Sequence, residues 1–217
     1  MTKQVLPGSP RGVRCCQRLT NCPRARRADR DYDAFTLIEL IVVVGIIIVL
    51  AGLVLSTVGY VRKKSGRARA ETEIAAMSAA CENYKSDTGI YPASADTNTL
   101  NAQTSLDPTA YQTASLFLYN ALFGTTAGSR TADPTKKSYF VFKPTMLFPA
   151  DQTLAVQYIK DPFGNSYGYS TINNPVANPN PVPGYNPTFD LWSTSGIAAA
   201  PPPSPPATQQ DLWIKNW

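Results

Sequence analysis

Apolar positions follow three different rhythms along the chain. From Phe35 to Val58 the sequence reads FTLIELIVVVGIIIVLAGLVLSTV, an almost unbroken apolar run whose only charge is Glu39. As a helix rising about 1.5 Å per residue, its 24 residues reach about 36 Å, enough to cross a hydrocarbon core of ~30 Å. The rhythm then becomes helical: Ile74, Met77, Ala80, Cys81 and Tyr84 recur on one face and mark a buried stripe. Arg67–Glu71 and Arg69–Glu73 are spaced i,i+4, which predicts modest surface ion pairs. No proline interrupts residues 35–91, Gly89 is placed for a C-cap and Pro92 for a stop, so one helix of roughly fifty residues is predicted, ending near Asp87.

Past Pro92 the pattern is that of a small mixed domain. Residues 93–106 are polar and predict a loop. Asp107-Pro108 predicts an N-cap followed by proline in the first turn, with Tyr111, Ala114, Leu118 and Leu122 lining one face of a short helix that Gly124 ends. Tyr139–Phe142, Leu154–Ile159, Tyr167–Thr171 and Thr188–Trp192 have strand composition. Pro- and Asn-rich residues 173–187 separate the last two. The expectation is an α+β fold, with a long N-terminal helix packed on a small antiparallel sheet.

Composition narrows the chemistry. There is no histidine, which removes the commonest general base, the commonest metal ligand and every histidine-dependent triad. No glycine-rich phosphate loop and no nucleophile beside a base is recognisable, so the chain is not expected to be an enzyme. Residues 1–34 hold eight basic and three acidic residues, the whole formal excess of +5, while the remainder carries twelve of each. The high pI therefore reports a basic leader, and nucleic acid is not an expected partner. Cys15, Cys16 and Cys22 lie in that leader. Cys81 remains alone in the body, where a small packing residue is the expected role. Tyr167, Tyr169, Phe189, Trp192, Trp213 and Trp217 are read as domain core from their strand-like alternation. Asp161 is explained by a turn position.

Glu39 is the residue that needs a function. A carboxylate early in a membrane span is disfavoured by roughly 2.5–3.5 kcal/mol on insertion scales and calls for a partner. Ala34-Phe35-Thr36-Leu37-Ile38-Glu39-Leu40 resembles the processing motif of type IV pilins and pseudopilins. That resemblance implies a prepilin peptidase cutting between Ala34 and Phe35, methylation of the Phe35 amine, and pairing of Glu39 with the amine of a neighbouring subunit. Where the family usually has glycine before the cut, this chain has Ala34, the next smallest side chain. An apolar setting penalises an unpaired charge far more than a paired one, so such a pairing would also set register. Eight basic residues before the span and five soon after it (Arg62, Lys63, Lys64, Arg67, Arg69) favour a cytoplasmic N-terminus and a periplasmic C-terminal domain. Gly45, Gly52, Gly59 and Gly66 recur every seven residues; they are either a face for close helix approach or the ordinary glycine content of membrane helices. Many pilins have a proline midway along the span, where this chain has Ser56 and Thr57.

Within the family, Ser86–Pro92, Lys160–Tyr169, Phe189–Gly196 and Asp211–Trp217 resemble the major pseudopilin of type II secretion. This implies self-assembly into a periplasmic filament on an inner-membrane platform capped by minor pseudopilins, with membrane lipid as the partner before assembly. The alternative is a surface type IV pilus, although no C-terminal cysteine pair exists; a membrane-anchored periplasmic domain of other function is the remaining reading. The resemblance also implies calcium in the loop before the C-terminal segment. Here residues 197–210 carry a proline run and no carboxylate. Asp190 and Asp211 flank the loop and are the candidate ligands, but two carboxylates suit poorly an ion that takes six to eight oxygens. The expectation leans against calcium, with a stiff polyproline segment or an idle spacer as the two readings of the loop.

Overall fold

The computed structural model describes residues 35–197 and 210–217. The expected leader (residues 1–34, with Ala34 and three cysteines) and most of the proline-rich loop lie outside them. The architecture is one long apolar N-terminal helix followed by further helices and two small antiparallel sheets. The chain divides into two compact units, one ending at Val49 and one running from Leu50 to Trp217.

Helix α1 spans Leu37–Thr88 and ends where Gly89 adopts φ +84°, a left-handed conformation that costs glycine nothing. Its buried positions are Ala70, Glu73, Ile74, Met77, Ala80 and Cys81, so the predicted stripe is present, with Tyr84 half-buried at its edge. Glu73 corrects the expectation of a surface pair. It does meet Arg69 at 2.6 Å, but it is only 9% exposed and accepts a 2.8 Å hydrogen bond from the Tyr167 hydroxyl. Arg67 does not pair with Glu71; its guanidinium reaches Leu212 O and Ser195 Oγ instead. A tertiary carbonyl competes well against an exposed i,i+4 pair, which contributes only about 0.2–0.5 kcal/mol.

Helix α2 (Ala95–Thr99) lies where a plain loop was expected. Ser94 and Thr97 form a reciprocal capping box, and the Thr97 hydroxyl is buried against that of Thr171, which stabilises a turn too short to hold by propensity. The Asp107-Pro108 start is found as a 3₁₀ turn, Pro108–Tyr111. It leads into α3, Gln112–Phe123, which ends at left-handed Gly124. Tyr111, Ala114, Leu118 and Leu122 are all buried.

Strands β1 (Leu147–Phe148) and β2 (Tyr158–Ile159) pair antiparallel. Strands β3 (Gly168–Ser170), β4 (Asp190–Ser193) and β5 (Ile214–Lys215) form the second sheet in that order. Tyr139–Phe142 is not a strand. The Tyr139 and Phe140 amides both donate to Leu122 O, so the segment satisfies the last turn of α3 rather than a ladder. Phe142 is buried and Val141 is 78% exposed, which is the alternation that imitated a strand. Only the end of Leu154–Ile159 pairs, since Val156 N is bonded to Gly128 O. The loop 173–187 is held by two asparagines. Asn174 accepts from the Val176 and Ala177 amides, and Asn178 donates to Ile172 O and Asn98 O.

Five of the six aromatics are core and Trp217 is half-buried at its edge, but without alternation: all four residues of β4 are buried. Gly168 faces Trp192 across the ladder, and a Cβ there would run into the Trp192 indole. Asp161 sits in its predicted turn, accepting from the Phe163 and Asn165 amides at 3.0 and 2.8 Å and from the Ser193 hydroxyl at 2.6 Å. Burial nonetheless raises its pKa above the ordinary 3.8, against the pull of these donors.

Two outcomes follow for the full chain in detergent. Gly168→Ala lowers stability by about 2 kcal/mol or more through overpacking against Trp192; thermal melts by near-UV circular dichroism measure this. For Asp161 the native state keeps its proton to higher pH than the unfolded chain, so its contribution is fully present below 3.8 and is lost as pH rises through the raised native value. A carboxyl-carbon NMR titration should place the Asp161 midpoint above 3.8; a lower midpoint contradicts the account.

Candidate functional site

The site begins at the first residue described. Phe35 is 82% exposed, and Thr36 precedes the first turn of α1. The Thr36 amide and hydroxyl both donate to Glu39 Oε2, at 2.9 and 2.8 Å, and the Glu39 amide donates back to Thr36 Oγ1 at 3.3 Å. This is a reciprocal capping box. Two of the four orphan amides at a helix start are thereby satisfied, and the carboxylate sits at the positive end of the helix dipole. The T-x-x-E spacing is the sequence signal that could have found this box but was not read as one, and it places Thr36 in the site beside Phe35 and Glu39. Glu39 Oε1 makes no hydrogen bond among the described residues, so the carboxylate keeps an oxygen free.

Behind this head the helix is apolar and uncovered. Its most apolar 18-residue window has a mean hydropathy of 3.1 and none of it is buried; this is one helix long and apolar enough to span a membrane. The hydroxyls of Ser56 and Thr57 donate to Leu53 O and Val54 O at 2.8 and 2.9 Å, which leaves no free side-chain donor in the span. The four-glycine row is divided. A Cβ added at Gly45, Gly52 or Gly59 would meet nothing, whereas one added at Gly66 would lie 3.0 Å from the Phe163 ring. Next in line, Arg62, Lys63 and Lys64 are exposed and make no hydrogen bond or ion pair among the described residues.

The candidate calcium ligands are arranged otherwise. Asp190 is 2% exposed. Its oxygens accept from the Asn186 amide at 2.8 Å and the Tyr185 amide at 3.2 Å, and burial raises its pKa despite them. Asp211 is exposed. Among the described residues no three His, Cys, Asp or Glu side chains gather in a metal-binding group. Sequence reasoning missed two residues beside this loop, Arg67 and Gln210. Arg67 was assigned to a helical pair, and nothing local distinguishes Gln210 from the polar stretch before it.

Neither protein-family models, curated proteins nor solved structures provide a match to this chain.

Because Thr36 and Glu39 are joined by cap bonds, Glu39→Gln and Glu39→Ala should behave differently in micelles. The glutamine amide oxygen still accepts from Thr36, whereas alanine frays the first turn. Loss of a cap of about 1 kcal/mol corresponds to roughly fivefold faster amide exchange at Thr36. Equal exchange in the two variants would show that the box does not hold the helix start.

Proposed function

We propose that this chain is a type IV pilin-like filament subunit, of the kind that forms the pseudopilus of type II secretion. The observation that carries the reading is the helix head: a single carboxylate at the start of the otherwise uncharged apolar run of α1, next to Phe35, with one oxygen uncommitted among the described residues. A prepilin peptidase removes the leader before Phe35, and the new α-amine, methylated, is a positive charge at the edge of the apolar run. A docking subunit brings that amine to the free Glu39 oxygen of its neighbour. In a medium of low dielectric a misregistered pair leaves two uncompensated charges, and this selects the correct stagger.

The remaining features fit the same cycle. Before assembly the subunit is held in the inner membrane by the apolar run. Arg62, Lys63 and Lys64 stand about 6–9 Å beyond Val58 at 1.5 Å per residue, level with the phosphate headgroups of that leaflet, and each contributes about 1 kcal/mol of attraction to an anionic surface. In the filament, helices replace lipid, and the open Gly45, Gly52 and Gly59 positions allow close approach. The C-terminal body lies in the periplasm, with minor pseudopilins and the inner-membrane platform as further partners. The role is structural rather than catalytic.

The test is N-terminal mass spectrometry on protein taken from membranes, with electron microscopy for filaments. A mature start at methylated Phe35 is expected, with cleavage intact but filaments lost in both Glu39→Ala and Glu39→Gln. An N-terminus at Met1, or a cut elsewhere, sinks the reading. Filaments retained by Glu39→Gln would show that assembly needs the helix cap and not the charge.

A further inference from the structure

The described residues on either side of the proline-rich segment, Ser195 and Leu212, are brought together. Ser195 Oγ donates to Leu212 O at 2.8 Å, so the two ends of the segment are in contact. Arg67 of α1 closes this junction: its Nη1 donates to Leu212 O at 2.8 Å and to Ser195 Oγ at 3.2 Å. On the inner side Gln210 is 4% exposed. Its Nε2 donates to Ala102 O at 2.8 Å and Gln103 O at 3.0 Å, and its Oε1 accepts from the Tyr185 hydroxyl. Gln210 O in turn accepts from the Trp213 amide and from Lys215 Nζ, at 3.2 and 3.3 Å.

Closing a junction of this kind requires positive charge or donors turned onto converging carbonyl oxygens. A divalent cation does this by collecting six to eight oxygens. Here the oxygens are already engaged. Leu212 O has the guanidinium, Gln210 O has an ammonium and an amide, and Ala102 O and Gln103 O have a side-chain amide. Among the described residues the buried aspartates nearby are engaged too: Asp190 accepts from two backbone amides, and Asp161 from two backbone amides and the Ser193 hydroxyl. An incoming ion would have to displace donors already in place, and the described residues do not fit it.

We propose that Arg67 and Gln210 close the neck of the proline-rich segment and position the C-terminal strand β5 without a bound cation. Arg67 acts from the helix as the fixed positive charge, and Gln210 acts as a three-bond staple between the segment's end, the turn after α2 and Tyr185. This inference is independent of the filament reading, because it concerns only residues within the body.

The experiment uses the full chain in detergent, melted in EDTA and in millimolar calcium chloride, with amide exchange read by NMR. Native melting temperatures within about 1 °C of each other are expected; a rise of about 4 °C or more in calcium, the size of a real binding effect, overturns the proposal. In Arg67→Ala and Gln210→Ala the Trp213 and Asn216 amides should exchange at least about tenfold faster while α3 amides stay unchanged, and calcium should not restore them. Arg67→Lys keeps the charge with fewer donors and should restore most of the protection, which separates local closure from general misfolding. Unchanged Trp213 and Asn216 exchange in the alanine variants also overturns it.

Discussion

The C-terminal body is built against one stripe of α1, from Ala70 to Cys81, and the bond that fixes its register is between Glu73 and Tyr167. Packing of apolar side chains is tolerant of small slips, but a buried carboxylate is not. Glu73 has Arg69 on one oxygen and the Tyr167 hydroxyl on the other, and moving β3 along the helix would leave the second oxygen an unpaired acceptor in the core. An orphaned buried acceptor costs about 1–3 kcal/mol, and more when charged. From Tyr167 the constraint passes along the sheet. Gly168 admits the Trp192 indole, Trp192 stacks at 6.0 Å on Trp213, and β5 is brought into place at the end of the chain.

Much of this was legible in the sequence because it depends on local rules. The extent of α1, its Gly89 stop, its apolar stripe and the Pro108 start of the turn before α3 each follow from periodicity or capping chemistry carried by a few adjacent residues. The misreadings share a cause, which is that the deciding partner is remote in sequence. Tyr139–Phe142 has strand composition, yet its amides serve Leu122 O. Arg69 and Glu73 look like a surface pair, and only Tyr167 makes Glu73 an interior residue. The short helix α2 was hidden because Ser94 and Thr97 read as loop polarity until Thr171 covers them.

The helix head was legible for a different reason. Its chemistry is compressed into five residues, so the anomaly of one carboxylate in an apolar run is plain without any fold. Its pairing with Thr36 is equally local, since both partners lie within four residues. The loop before the C-terminal segment is the opposite case. Arg67 lies far away in sequence, and Gln210 takes its meaning from Ala102, Gln103 and Tyr185, so the closure could not be read from the loop itself.

Cys81 shows how burial governs reactivity as well as packing. It is fully enclosed by the core, and desolvation pushes its thiol pKa far up, so the nucleophilic thiolate is suppressed. An accessible thiolate would be open to oxidation and cross-linking. This one is redox-silent for as long as the body stays folded. Its oxidation would therefore report unfolding and not environment, which makes the sulfur a built-in record of whether a given copy has ever opened.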